Sequence, residues 1–472
     1  MVRRLNVRGG WMAGLLITIA AGGLLWHMLA CVESPMSFSP DGKDLAFVTM
    51  EPYKIDDIPL AGSNAYRLMM LKGGKDLRVV ELSVDTMLTS PAYRGDGQVF
   101  CYLRIPLLTF ELASGLKQVQ KMRLDLFNQA TSRPADMEYP PGKDSPRSQP
   151  TPTSGPVTPN PVFDPIMVGN KALLSRAACG LELKATLVER NARTLEIVST
   201  TPVSLFLLNT DTKGPDDYLW TYLMTRPQYS PDGKTVYFCA MGLVYAVTVP
   251  DGRFDILGGP AFVSSLCPDG SKIATLDEFE HPKVLSIIAT DRHSIEYHGT
   301  DIGLLSSGFG WADNQSLTLL CSVKTDGDPN AHLVLRIMRT NGEAISTQGL
   351  PESPGKKDML ELARSFDGKH MVVSNQSSVL FLDAKGKQIG AWKAEEKSSD
   401  ALAQPTFTPG GKLVAFKHMG KGETQGGRAD AIVFFTPEGV QVGSVAIPEI
   451  KPGTTRPASM PATAAAQTAP AE

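Results

Sequence analysis

Ser39-Pro40-Asp41-Gly42-Lys43 is followed by Asp44-Leu45-Ala46-Phe47-Val48, and this unit returns along the chain. Ser230-Pro231-Asp232-Gly233-Lys234 precedes Thr235-Val236-Tyr237-Phe238, and Cys267-Pro268-Asp269-Gly270 precedes Ser271-Lys272-Ile273-Ala274. In such a turn Pro presets φ for the first central position. Asp suits the second, where its carboxylate accepts backbone N–H groups, and Gly takes the left-handed position that closes the hairpin. The apolar residues on either side, Met36 and Phe38 before and Leu45 and Phe47 after, are spaced by two, the period of a strand.

The unit continues through a third apolar run, Tyr66-Arg67-Leu68-Met69-Met70-Leu71, a Gly73-Gly74 turn and a fourth run, Leu77-Arg78-Val79-Val80. Four antiparallel strands per repeat make one blade of a β-propeller, and a period of about 40 to 50 residues belongs to such arrays. Degenerate copies surround Asp96, Asp313, Asp367-Gly368 and Gly410. A poorer one, Phe163-Asp164-Pro165, stands before Lys171-Ala172-Leu173-Leu174. The anchors at 41, 96, 164, 232, 269, 313, 367 and 410 predict an all-β propeller of eight four-stranded blades, with seven as the alternative if the third anchor is not a blade. Asp41, Gly42, Asp232, Gly233, Asp269, Gly270, Asp367 and Gly368 are therefore read as structural turn residues, because a catalytic residue would be needed once and not in every blade.

These turns resemble the repeats of the TolB-like β-propeller family, whose signature is a Ser-Pro-Asp-Gly-Lys turn before an Ile/Val-x-Phe strand, over about residues 35–448. The resemblance implies a fold and names no ligand. TolB proteins carry an α/β domain ahead of the propeller, whereas here the first turn arrives at Ser39, so the chain is read as TolB-like and not as TolB itself.

Ahead of the repeats, Arg3, Arg4 and Arg8 precede an uncharged run from Gly9 to Val32. Its apolar centre is long enough to span a bilayer, and the basic flank belongs on the cytoplasmic side. Residues 1–32 are thus expected to form one transmembrane or signal helix, acting as a signal anchor or signal peptide. The propeller would then lie in the periplasm or outside the cell. Cys31, after Met28-Leu29-Ala30, is a candidate lipidation site with a poor lipobox. Two segments have the composition of disorder: 134–162, rich in Pro, Ser and Thr and read as an insertion between blades, and the Pro/Ala/Thr-rich tail 449–472.

Composition narrows the function. A net charge of −3 gives no electrostatic case for nucleic acid. The six cysteines form no C-x-x-C pair, and Cys101, Cys239 and Cys321 fall in expected second strands, where a buried thiol behaves as a small hydrophobe. His281, His293 and His298 match no metal-binding spacing, and the acidic pairs Asp56-Asp57 and Asp216-Asp217 offer too few oxygens for calcium. No G-x-S-x-G elbow, P-loop or dinucleotide fingerprint occurs, so no cofactor, metal or catalytic residue is assigned. The expected role is a membrane-tethered scaffold that binds a protein, a peptide or an envelope polymer. A propeller enzyme of lyase or glycosidase type, with its site at the channel mouth, is the alternative.

Overall fold

Alternating apolar residues on both sides of each turn place one row of side chains on either face of a short sheet, and each sheet then needs a neighbour on both faces. The computed structural model resolves this need as a ring of seven four-stranded sheets. It describes residues 36–448 apart from 56–57, 84–85, 107–165, 169–170, 175–178, 209–225, 241–242, 250, 259–260, 262, 278–283, 292–293, 301–303, 325–330, 351–359, 376, 396–399 and 420–428.

Blade 1 is β1 (Ser37–Phe38), β2 (Leu45–Ile55), β3 (Ile58–Lys72) and β4 (Asp76–Ser83). Blade 2 has a split inner edge, β5 (Thr86–Leu88) and β6 (Ala92–Tyr93), beside β7 (Val99–Pro106). After a two-stranded hairpin, β8 (Ile166–Val168) and β9 (Lys171–Leu174), it is completed by β10 (Cys179–Asn191) and β11 (Ile197–Leu208). Blade 3 is β12 (Gln228–Tyr229), β13 (Thr235–Ala240), β14 (Leu243–Thr248) and β15 (Phe254–Gly258). Blade 4 is β16 (Val263–Leu266), β17 (Lys272–Asp277), β18 (Val284–Ala289) and β19 (Ser294–Thr300). Blade 5 is β20 (Leu304–Trp311), β21 (Ser316–Lys324), β22 (Ala331–Arg339) and β23 (Ala344–Gly349). Blade 6 is β24 (Glu361–Arg364), β25 (His370–Ser374), β26 (Ser378–Asp383) and β27 (Gln388–Lys393). Blade 7 is β28 (Ala401–Phe407), β29 (Val414–Met419), β30 (Ala429–Phe435) and β31 (Gln441–Ala446).

Two expectations are corrected. The blades number seven and not eight, because the anchor at Asp164 precedes only the β8–β9 hairpin, whose strands pair with each other and with no blade. Gly42, Gly97, Gly233, Gly270, Gly368 and Gly411 close blade turns with φ between 66° and 75°. The N-terminal transmembrane or signal helix is no part of the described fold, in which every element is a strand. Residues 1–32, Cys31 among them, lie outside the described residues. Among those described, no helix is long and apolar enough to cross a membrane. The Pro/Ser/Thr-rich segment 134–162 lies outside the described residues; in sequence it falls between β7 and β10, which pair directly in blade 2 (Thr186 opposite Arg104).

The inner strands follow one another around the ring, with β6 beside both β1 and β12 and with β28 beside both β24 and β1. Among the described residues each blade is drawn from its own stretch of chain, and no strand is exchanged where blade 7 meets blade 1. Side chains close the ring instead. Met36, Leu45, Phe47, Met69 and Leu71 of the first blade pack on Ala415, Ala429, Ile432 and Ile447 of the last. Fully buried Lys417 donates to Val48 O at 2.7 Å, and Arg67 donates to Pro448 O at 2.8 Å. Cys101, Cys239 and Cys321 are buried thiols on β7, β13 and β21, the second strands of their blades.

Candidate functional site

The eight turn residues singled out from the sequence lie on one face of the ring, at the junctions between first and second strands. In blade 1, Ser39 Oγ donates to Asp41 Oδ1 at 2.7 Å, Lys43 N donates to the same oxygen at 3.1 Å, and Asp44 N returns to Ser39 Oγ at 2.9 Å. Blade 3 repeats the set with Ser230 and Asp232, and blade 6 with Ser365 and Asp367. In blade 4 a thiol replaces the hydroxyl: Cys267 Sγ donates to Asp269 Oδ1 at 2.9 Å and accepts from Lys272 N at 3.1 Å. Cys267→Ser should therefore leave the melting midpoint close to wild type, within about 0.5 kcal/mol, while Cys267→Ala should lose about 1 kcal/mol. Equal losses in the two variants would contradict this role for the sulfur.

The hydrogen bond from Ser39, then that from Lys43 N, holds the Asp41 carboxyl below the usual carboxylate range. Ser230 does the same for Asp232, Cys267 for Asp269 and Ser365 for Asp367. Groups whose pKa falls on folding contribute stability above the ordinary carboxylate pKa and lose it as pH falls through the lowered value. Thermal stability should thus decline on acidification below the usual carboxylate range, and the Asp232→Asn variant should show a shallower decline. An unchanged acid limb in that variant would remove Asp232 from the account.

Buried polar sets also fasten neighbouring blades. Glu81 on β4 accepts from Arg104 Nε at 2.7 Å, from Arg190 at 2.8 Å and from the Tyr102 hydroxyl. Burial opposes the Glu81 charge, but the bonds from Arg104 and Tyr102 outweigh it and bring the pKa below the usual range. Between blades 2 and 3, buried Glu189 accepts from Tyr229 at 2.7 Å and from Ser199 at 2.6 Å. In each set a carboxylate of one blade is held by partners from the next, Glu81 by Arg104, Arg190 and Tyr102 and Glu189 by Tyr229, which is an architectural role.

A different arrangement opens at the junction of blades 6 and 7. Register places Leu402, His418, Ala431 and Ala446 in one row across blade 7, and Phe416, Val433 and Ser444 in the next. Both rows share one face of the sheet. That face turns towards blade 6, where Phe416, Val433 and Phe435 pack with Phe381 and Trp392. Above this apolar contact the blades part into a cleft of about 500 Å³, lined by Trp392, Asp400, Leu402, His418, Asp430 and Phe435 and, on the outer strand, by Gln441 and Ser444. His418 Nδ1 lies 2.7 Å from Asp430 Oδ1, and its Nε2 faces Asp400 Oδ1 at 3.9 Å. The His418 imidazole thus stands between two carboxylates.

None of these cleft residues was singled out from sequence. Asp400, His418 and Asp430 stand at three strand ends and Trp392 on another blade, so no linear spacing connects them. The available signal was His418 two residues after Phe416, a polar group continuing an inward-facing row. Of the histidines that were singled out, His298 meets Ser286 Oγ at 3.0 Å, and His281 and His293 lie outside the described residues, as do Asp56-Asp57 and Asp216-Asp217. Among the described residues, no group of three His, Cys, Asp or Glu is placed to hold a metal ion.

Fold and ring together define a seven-bladed β-propeller. No protein-family model matches the chain, and no curated protein matches it in sequence. Solved structures similar to it include TolB proteins and other propellers. The hydrazine synthase of Kuenenia stuttgartiensis is 10% identical with a TM-score of 0.46, over 86% of this chain and 96% of that one. TolB from Acinetobacter baumannii is 14% identical with a TM-score of 0.32, over 68% of this chain and 54% of that one. A prolyl endopeptidase is 11% identical with a TM-score of 0.46, over 91% of this chain and 51% of that one. These likenesses concern the fold alone.

Proposed function

We propose that this propeller is a binding scaffold working outside the cytoplasm, held at the membrane through the uncharged run that follows Arg3, Arg4 and Arg8, and that it takes a peptide segment of a partner protein in the cleft between blades 6 and 7. The observation that carries the reading is the cleft itself. It is an open groove with an apolar floor, an indole on one wall and a polar rim whose imidazole is already engaged with Asp430. Its accessible lining is more polar than apolar, with Asp400, His418, Asp430, Gln441 and Ser444 around the Trp392, Leu402 and Phe435 surface, so hydrogen bonds would supply much of the recognition.

Selection of a random peptide display library on the full chain in detergent tests this. A shared consensus should be enriched on the wild type and lost on Ala446→Trp, which fills the groove from the outer strand. Failure to enrich any consensus, or one indifferent to Ala446→Trp, would overturn the assignment of the cleft.

A further inference from the structure

We infer that the partner segment binds as an added fifth strand on the outer edge of blade 7, an inference that rests on the cleft being a peptide site. The ligand class is then an extended stretch of peptide backbone. β31 is the outermost strand of its sheet and, among the described residues, pairs only with β30. It is exposed at every position except Val445. Ile447 N donates to Asp430 O at 2.7 Å. Antiparallel pairing alternates the direction of the backbone groups, so Ser444 and Ala446 turn their N–H and C=O groups away from β30.

Outer strands usually guard such an edge with charge or proline. β4, β15, β19 and β27 carry charged residues and β11 carries Pro202, whereas β23 and β31 carry neither. Of these two, β31 is the one that lines the cleft, through Gln441, Ser444 and Ala446. It also presents Val442, 53% exposed, a β-branched residue suited to a cross-strand pair. A strand laid beside β31 continues the rows that cross blade 7. Ala446 ends the row of Leu402, His418 and Ala431, and Ser444 ends that of Phe416 and Val433. Every second side chain of the added strand therefore points to the cleft and Trp392. The main chain sets affinity, and those alternate side chains set sequence preference.

The test uses the display-selected peptide on the full chain, synthesised with single backbone N-methyl groups, each of which removes one N–H and leaves every side chain in place. The expected result is a loss of about tenfold or more at every second residue, the cost of one hydrogen bond, and of less than about threefold at the residues between. On the protein side, Ser444→Pro removes an outward N–H that β30 does not use and should weaken binding about tenfold. Ser444→Ala keeps that N–H and should bind within about threefold of wild type. Tolerance of N-methylation at every position would overturn the inference even if Ser444→Pro failed to fold. So would unchanged affinity in a folded Ser444→Pro variant. Self-association of the chain that Ser444→Pro abolishes, with the peptide indifferent to that change, would assign the edge to a second copy and overturn it too. A peptide lost on Ala446→Trp but tolerant of N-methylation throughout would overturn this inference and leave the peptide-binding reading standing, whereas absence of any consensus would overturn both.

Discussion

Gly270→Val should lower the melting midpoint, with a loss of about 2–4 kcal/mol. Two effects add. Gly270 has φ +75°, where a β-branched side chain is strained by about 1–2 kcal/mol. A Cβ there would also lie 2.5 Å from Pro231 Cδ on the preceding blade, and overpacking against a rigid ring costs a further ~1–3 kcal/mol. The turn of each blade leans on that of its predecessor elsewhere too: Gly97 against Pro40, Gly233 against Arg94, and Gly42 of blade 1 against Pro409 of blade 7. Gly74 separates the two effects. It has φ +70° with nothing within 4 Å of its added Cβ, so Gly74→Val should carry the strain alone. A Gly270→Val loss no larger than that of Gly74→Val would show that contact between turns contributes nothing to the ring.

Glu81→Gln should be the second large effect, a loss of about 3 kcal/mol or more. The side chains of Glu81, Arg104 and Arg190 are 12%, 21% and 12% exposed, so neutralising the carboxylate strands two guanidinium groups in a poorly solvated junction. Removing one partner of a buried ion pair is far more damaging than removing the whole set. Adding Arg104→Met and Arg190→Met to Glu81→Gln should therefore restore much of the lost stability. Because the Glu81 pKa is lowered on folding, its contribution is present above the ordinary carboxylate range and lost as pH falls through the lowered value. Chemical denaturation of the single and triple variants checks the claim, and additive losses without recovery would contradict it.

The repeats could be read because turn chemistry is local. Pro, Asp and Gly act within five residues, and Ser39, Ser230 and Ser365 make the same bonds in three blades. The count of eight fails at the anchor Asp164, because the strands that follow it, β8 and β9, pair with each other and with no blade. The blade 5 turn has no glycine and closes through Asp313, whose carboxylate accepts from Gln315 N at 2.7 Å and from Ser316 Oγ at 2.7 Å. The cleft was out of reach for a different reason. Its residues come from Trp392 on one blade and from three strand ends of another, and only the packing of blade 6 on blade 7 brings them together. The same holds for Glu81 and Arg190, 109 residues apart yet bonded at 2.8 Å.

Hydrogen exchange of the full chain with and without a display-selected peptide tests most directly whether the junction of blades 6 and 7 is the binding site. Added protection is expected around Asp400–Leu402, His418–Met419 and Asp430–Val433 and along Gln441–Ala446. Protection confined to the inner strands at Ser37–Phe38, Gln228–Tyr229 and Val263–Leu266 would place the ligand at the central channel and contradict the account.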